Sequence, residues 1–88
     1  MIVLQVIQSW CKDYYPEHYQ YRVAVYREGG AYLNTGKNCE SKVETVAFVE
    51  GLELAFRTMD HDCKVEFVAV DGETADYNAY FFPEDRHE

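Results

Sequence analysis

The chain has 88 residues, of which 48% are hydrophobic, enough for one small domain and too few for a second sizeable core. Sixteen Asp and Glu side chains against eight Lys and Arg give a net charge of −8, which disfavours binding to phosphate backbones and to anionic membranes. Three cysteines without a CxxC pair argue against a disulfide framework and a structural zinc site, so we expect reduced thiols and a cytoplasmic location.

The acidic side chains are concentrated in the second half of the sequence. Residues 1–39 carry four basic and three acidic side chains, whereas residues 40–88 carry four and thirteen. We therefore expect the second half to form an acidic surface, and its partner to be a basic protein rather than a nucleic acid or a membrane.

The first half of the chain predicts three strands. Residues 1–7 are β-branched and almost continuously apolar, which is typical of a central strand covered on both faces. A polar loop follows at 11–18, and residues 19–27 alternate as a half-buried strand does. Glu28, Gly29 and Gly30 then supply a turn into a hairpin partner at 31–35.

A helix is predicted over residues 42–59. Ser41 and Glu44 form a capping-box pattern, in which each side chain satisfies a backbone donor at the start of the helix. Apolar residues recur near helical spacing and predict a wide stripe packed on a sheet: Val43, Ala47, Phe48, Leu52, Leu54, Ala55, Phe56 and Met59.

A second buried strand is predicted at 64–70, and the helix before it favours parallel pairing. Residues 73–82 fit either a short helix, which we favour, or an edge strand. The expected fold is one α/β domain over residues 1–82, followed by a frayed acidic tail at 83–88. Its small mixed sheet has about four strands in the order β-β-β-α-β, with one main helix packed on one face.

The order of these elements resembles the ribonuclease H family. Three segments carry the resemblance, which covers residues 2–80: YRVAVYREGGAYLNTG, VETVAFVEGLELAF and CKVEFVAVD. They resemble the second and third strands, the first helix and the fourth strand of the family. Its members use a cluster of carboxylates to hold two divalent metals for phosphodiester hydrolysis.

The resemblance places Glu44 at the helix acid and Asp71 at the acid that ends the fourth strand. Gln8 stands where the first-strand acid should fall, and an amide brings no charge to attract Mg²⁺. The acid on a late helix has no counterpart in the sequence. We therefore expect a truncated and catalytically inactive relative, with no catalytic residues, metal or cofactor.

Two alternatives remain open. A minimal nuclease would use Glu44, Asp71 and a substitute acid such as Asp13 or Asp76, with Mg²⁺ as its cofactor. Against it, the capping box explains Glu44, and a turn explains Asp71 beside Gly72. The other alternative is a structural homodimer.

The favoured hypothesis is a non-enzymatic binding module, a small acidic inhibitor or adaptor. It would dock on a basic, nucleic-acid-binding surface of a partner protein and mimic the charge of nucleic acid there. Eight tyrosines are many for so small a core, and tyrosine is favoured at interfaces. The family covers its second sheet face with later helices, so here residues 73–82, self-association or a partner must cover it. The predicted interface residues are Tyr14, Tyr15, Tyr77, Tyr80, Asp60, Asp62 and Glu73.

Overall fold

Five strands and two helices make up the fold in a computed structural model, which describes residues 1–12, 17–30 and 32–83. The elements are β1 (Ile2–Cys11), β2 (His18–Arg27), β3 (Tyr32–Cys39), α1 (Lys42–Thr58), β4 (Cys63–Val68), β5 (Thr74–Ala75) and α2 (Tyr77–Phe81). A small α/β fold with a mixed sheet and one main helix is thereby confirmed. The sheet has five strands rather than four because residues 73–82 form both a two-residue strand and the short helix.

The sheet has the strand order β3-β2-β1-β4-β5, with β1 at its centre. β1 and β2 pair antiparallel, as do β2 with β3 and β4 with β5, whereas β1 and β4 are parallel. The predicted hairpin and the predicted parallel pair are both confirmed. β4 pairs with β1 only from Ile2 to Ile7, so the remainder of the β1–β2 hairpin extends past β4.

β3 runs well beyond the predicted 31–35, as far as Cys39. Pairing with β2 overrides the weak strand preference of this segment, with Tyr21 opposite Cys39 and Val23 opposite Lys37. Gly36 makes this pairing possible at φ 95°, because a Cβ atom there would lie 1.8 Å from the carbonyl oxygen of Val23.

The hydrophobic core lies on one face of the sheet, beneath both helices. Alternate strand residues point into it, and α1 and α2 each contribute one buried apolar side chain to the cluster, Val49 and Phe81. Burying such a side chain contributes about 1.5–3 kcal/mol. The buried cluster consists of Ile2, Leu4, Val6, Tyr21, Val23, Val25, Cys39, Val49, Phe67 and Phe81.

The buried stripe of α1 differs from the predicted one. Thr45 and Val49 are fully buried, and Thr45 donates its hydroxyl to the carbonyl oxygen of Ser41 at 2.7 Å. The prediction was wrong for Val43, Leu54 and Met59, whose exposed fractions are 81%, 69% and 57%, and for the exposed Ala47 and Ala55. Of the predicted stripe, Phe48, Leu52 and Phe56 do pack against the core.

The second face of the sheet carries no helix in the described part of the chain. The prediction that β1 is covered on both faces holds only in part, because Gln5 and Ile7 on this face are half-buried, and α2 packs on the same face as α1. Val3 is nevertheless 1% exposed, because the Tyr26 hydroxyl donates to Glu66 Oε1 at 3.1 Å, across the intervening β1. The same oxygen accepts from Gln5 Nε2 at 2.9 Å.

Candidate functional site

Gln8 fills the place at which the ribonuclease H resemblance expects the first-strand acid. It is buried, and both ends of its amide are engaged: Nε2 donates to the Tyr80 hydroxyl and Oε1 accepts from the Val70 amide, each at 2.9 Å. The hydroxyls of Tyr21 and Tyr80 lie 3.0 Å apart, and burial raises the pKa of Tyr21. These bonds join β1 to α2 and to the turn after β4.

Ser41 caps α1 as predicted, whereas the Glu44 carboxylate bonds to the Glu40 amide instead of the Ser41 amide that a capping box would use. The Glu44 amide donates to Ser41 Oγ at 3.1 Å, and Glu44 Oε1 accepts from the Glu40 amide at 2.8 Å. Its other carboxylate oxygen lies 2.8 Å from Lys37 Nζ. The Lys37 ammonium and the Glu40 amide together lower the pKa of Glu44.

Asp71 closes the turn between β4 and β5. Its Oδ1 accepts from the Glu73 amide at 3.0 Å, while Gly72 adopts φ 87°. Gln8, Glu44 and Asp71 are thus each engaged in hydrogen bonds within the fold. The residues that the structure describes contain no group of three or more His, Cys, Asp or Glu side chains able to hold a metal ion.

Of the four tyrosines predicted at the interface, two lie outside the described residues, namely Tyr14 and Tyr15. Tyr80 is half-buried; its ring lies 4.9 Å from that of Phe67, and Lys42 Nζ sits 4.0 Å from its ring centre. Tyr77 is also half-buried and stacks on Phe81 at 4.7 Å. Both side chains thus help to hold α2 on the core, and their contact with a partner stays a prediction.

The three predicted acids are exposed and lie near the two ends of β4. Asp60 ends α1 at φ 64°, where the Asp60 amide donates to the Arg57 carbonyl and the next amide to the Phe56 carbonyl. Asp62 immediately precedes β4. Glu73 lies at the other end, where its carbonyl accepts from the Ala69 amide at 2.9 Å.

A groove of about 490 Å³ lies between α1, α2 and the edge of the sheet formed by β4 and β5. We call it the acidic groove, because Glu50, Glu53 and Asp76 are among the residues that line it. Glu53 Oε2 lies 3.5 Å from Arg57 Nη2, and Asp76 Oδ1 caps α2 by accepting from the Ala79 amide at 3.2 Å. The remaining lining residues are Val65, Ala75, Tyr77, Asn78 and Phe82.

Tyr77 lines the acidic groove, but its hydroxyl is enclosed by the protein. It is buried, and it has no hydrogen-bond partner among the described residues. Burial raises the pKa of Tyr77 to about 12, with further contributions from the negative charges of Glu53 and Glu50. The carboxylates of Glu50, Glu53 and Asp76 favour an occupant that carries positive charge.

Sequence reasoning missed Glu50 and Glu53 as site residues. Their spacing of three on a predicted helix was a usable signal, because it places two carboxylates on one side of the helix. The sequence predicted a short helix within residues 73–82 but not its position, which places α2 across the groove from α1.

Comparisons with protein-family models, curated proteins and solved structures found no match for this chain. Neither helix in the described residues is long and apolar enough to cross a membrane.

Proposed function

We propose that this chain is a non-enzymatic protein-binding module, a small acidic inhibitor or adaptor that docks on a basic surface of a partner protein. The observation that carries this proposal is the acidic groove, a mainly polar cleft lined by Glu50, Glu53 and Asp76 and large enough for basic side chains. A Lys or Arg side chain can place its methylene stem on Val65 and Phe82 and its charged end among the carboxylates.

The charge distribution supports the same kind of partner. A net charge of −8 favours fast encounter with a basic surface and disfavours nucleic-acid binding. Aromatic side chains that become buried when the partner binds supply most of the affinity. A basic surface that normally holds nucleic acid is a suitable target, since a patterned row of carboxylates presents similar charge to it.

We further propose that the scaffold is ribonuclease H-like and catalytically silent. The element order β1-β2-β3-α1-β4 supports this, because it is the order on which the resemblance rests. The structural bonds of Gln8, Glu44 and Asp71 favour a non-catalytic role over the minimal nuclease. The cytoplasmic location stays a prediction.

Site-specific crosslinking followed by affinity measurement tests the proposal. A photoreactive amino acid at Asn78 captures the partner from the host, and titration calorimetry then measures its binding to purified variants. Glu50→Gln/Glu53→Gln should weaken binding at least about tenfold, because both side chains line the groove. The control double variant Glu17→Gln/Glu40→Gln removes the same charge at two exposed positions that do not line the groove, and it should change binding less than about twofold.

Three results would overturn the proposal. The first is equal loss of affinity in the two double variants. The second is Mg²⁺- or Mn²⁺-dependent cleavage of an RNA–DNA hybrid that Glu44→Gln abolishes. The third is concentration-dependent dimerisation in sedimentation without any captured partner, which the structural homodimer predicts.

A further inference from the structure

The outer edge of β4 offers backbone hydrogen-bonding groups for another strand. The Ile2 amide donates to the Asp62 carbonyl at 2.9 Å, which fixes the direction of the alternating groups in the parallel β1–β4 ladder. Lys64 and Glu66, which follow Asp62 at intervals of two, therefore also direct their backbone groups at β1. The amides and carbonyls of Cys63 and Val65 point the other way, away from the sheet.

β5 covers only the distal part of this edge. It pairs with β4 through Phe67 opposite Ala75 and Val68 opposite Thr74, and the Ala69 amide donates to the Glu73 carbonyl beyond them. Within residues 1–12, 17–30 and 32–83, no strand pairs with the outward edge at Cys63 and Val65. Two amides and two carbonyls are thus presented there in strand geometry, which is a template for an incoming strand.

The opposite edge of the sheet is a poorer template. The register of β3 on β2 shifts between Val23 and Val25 and again between Val25 and Tyr26, so this edge is irregular. Irregular edges of this kind disfavour the addition of another strand. The regular segment of β4 is therefore the better site.

The acidic groove lies along this same segment, since Val65 belongs to both. Side chains of an added strand point alternately to the two faces of the sheet, and those on the helix side meet Glu50 and Glu53 of α1. Asp62, which precedes the open segment, adds an exposed carboxylate at its start. A second copy of this chain fits poorly, because edge-to-edge pairing would bring two acidic grooves together.

We propose that the partner supplies an extended segment with Lys or Arg at alternate positions, which adds to β4 as a strand at Cys63 and Val65. The added strand hydrogen-bonds to the outward backbone groups of these two residues, and its basic side chains enter the acidic groove. This inference rests on the proposed function and specifies how the partner is held.

Amide hydrogen exchange with synthetic peptides tests it. The probe is the capped hexapeptide Lys-Val-Lys-Val-Lys-Val. One control peptide is N-methylated at alternate residues, which keeps the charge and removes the strand hydrogen bonds, and the other carries Glu in place of Lys. In the free protein the amides of Cys63 and Val65 should exchange fast. The probe should slow both by at least about tenfold and leave Lys64 and Glu66 unchanged, because those amides already donate to β1.

The outcomes separate this inference from the proposed function. Binding of the N-methylated peptide as tight as that of the probe, absence of protection at Cys63 and Val65, or no binding at millimolar peptide overturns strand addition, and partner capture at the groove can still stand. Slow exchange of the Cys63 and Val65 amides in the free protein also overturns strand addition by a partner. It would mean that this chain or a second copy already protects that edge. If the probe still protects the Cys63 and Val65 amides in Glu50→Gln/Glu53→Gln, strand addition is supported. The same result would overturn the role of the groove carboxylates in holding the partner.

Discussion

The bond between Gln8 and Tyr80 should contribute measurably to stability. Gln8→Leu removes the acceptor of the Val70 amide and the donor to the Tyr80 hydroxyl. A buried polar group left without a partner costs about 1–3 kcal/mol. Val70 is 49% exposed, so water can reach its amide, and the Tyr80 hydroxyl keeps its contact with Tyr21. We therefore expect a loss of about 2 kcal/mol in the free energy of unfolding.

The companion variant Tyr80→Phe leaves Gln8 Nε2 and the Tyr21 hydroxyl without their shared partner, and should also cost about 2 kcal/mol. The double variant should lose less than the sum of the two by about 1 kcal/mol, the value of one neutral hydrogen bond. A domain of this size has a free energy of unfolding of about 4–13 kcal/mol, so all three variants stay folded.

Urea unfolding followed by circular dichroism, with linear extrapolation to water, measures these differences. Tyr19→Phe is the matched control, because Tyr19 is 39% exposed and packs on Trp10; it should change stability by less than about 0.5 kcal/mol. A loss below about 0.5 kcal/mol for Gln8→Leu, or strict additivity in the double variant, would refute the assignment of this bond as a structural contact.

Three further predictions concern a tight contact, a helix end and a titrating phenol. Gly36→Ala should cost more than about 2 kcal/mol in thermal or urea unfolding, because its Cβ meets the Val23 carbonyl. Gly29→Ala, with φ 74° and nothing within 4 Å, should cost only about 1 kcal/mol, and equal losses would contradict the clash. Asp60→Gly should raise stability by about 0.5–1 kcal/mol, because glycine prefers the left-handed φ of 64° and removes a negative charge from the end of α1. The variant Asp60→Asn measures the effect of removing the charge alone. A loss of stability in Asp60→Gly would contradict the explanation from the left-handed backbone and the helix-end charge. The folded-state pKa of Tyr77, about 12, lies above the ordinary 10.0, so its contribution to stability is fully present below pH 10 and is lost as the pH rises towards 12. Between pH 9 and 12, the free energy of unfolding should fall less steeply with pH for Tyr77→Phe than for the original chain. Identical pH slopes for the two proteins would exclude this role of Tyr77.

Local pattern was enough to predict most of the sheet and the main helix. The β-branched run of β1, the alternation of β2 and the Ser41–Glu44 pair each determine an element through contacts near in sequence. The capping bond is present, although Glu44 reaches the Glu40 amide rather than that of Ser41. Such features need no knowledge of the rest of the chain.

Features that depend on distant residues could not be predicted. The buried face of α1 is set by where the sheet lies, so Thr45 is enclosed while the more apolar Val43 faces solvent. The strand character of β3 up to Cys39 comes from its pairing with β2 rather than from its own composition. The structural role of Gln8, which joins β1 to α2, could not be predicted without knowing where Tyr80 lies.

The hydrogen bond between Gln8 and Tyr80 also has a consequence for folding during biosynthesis. Gln8 and Tyr80 are 72 positions apart, so α2 cannot dock on the sheet until the chain has been synthesised as far as Phe81. Until then the nascent polypeptide carries a sheet whose apolar face is missing Phe81. We expect this apolar face to stay open to chaperone binding until α2 has been synthesised and can dock on it.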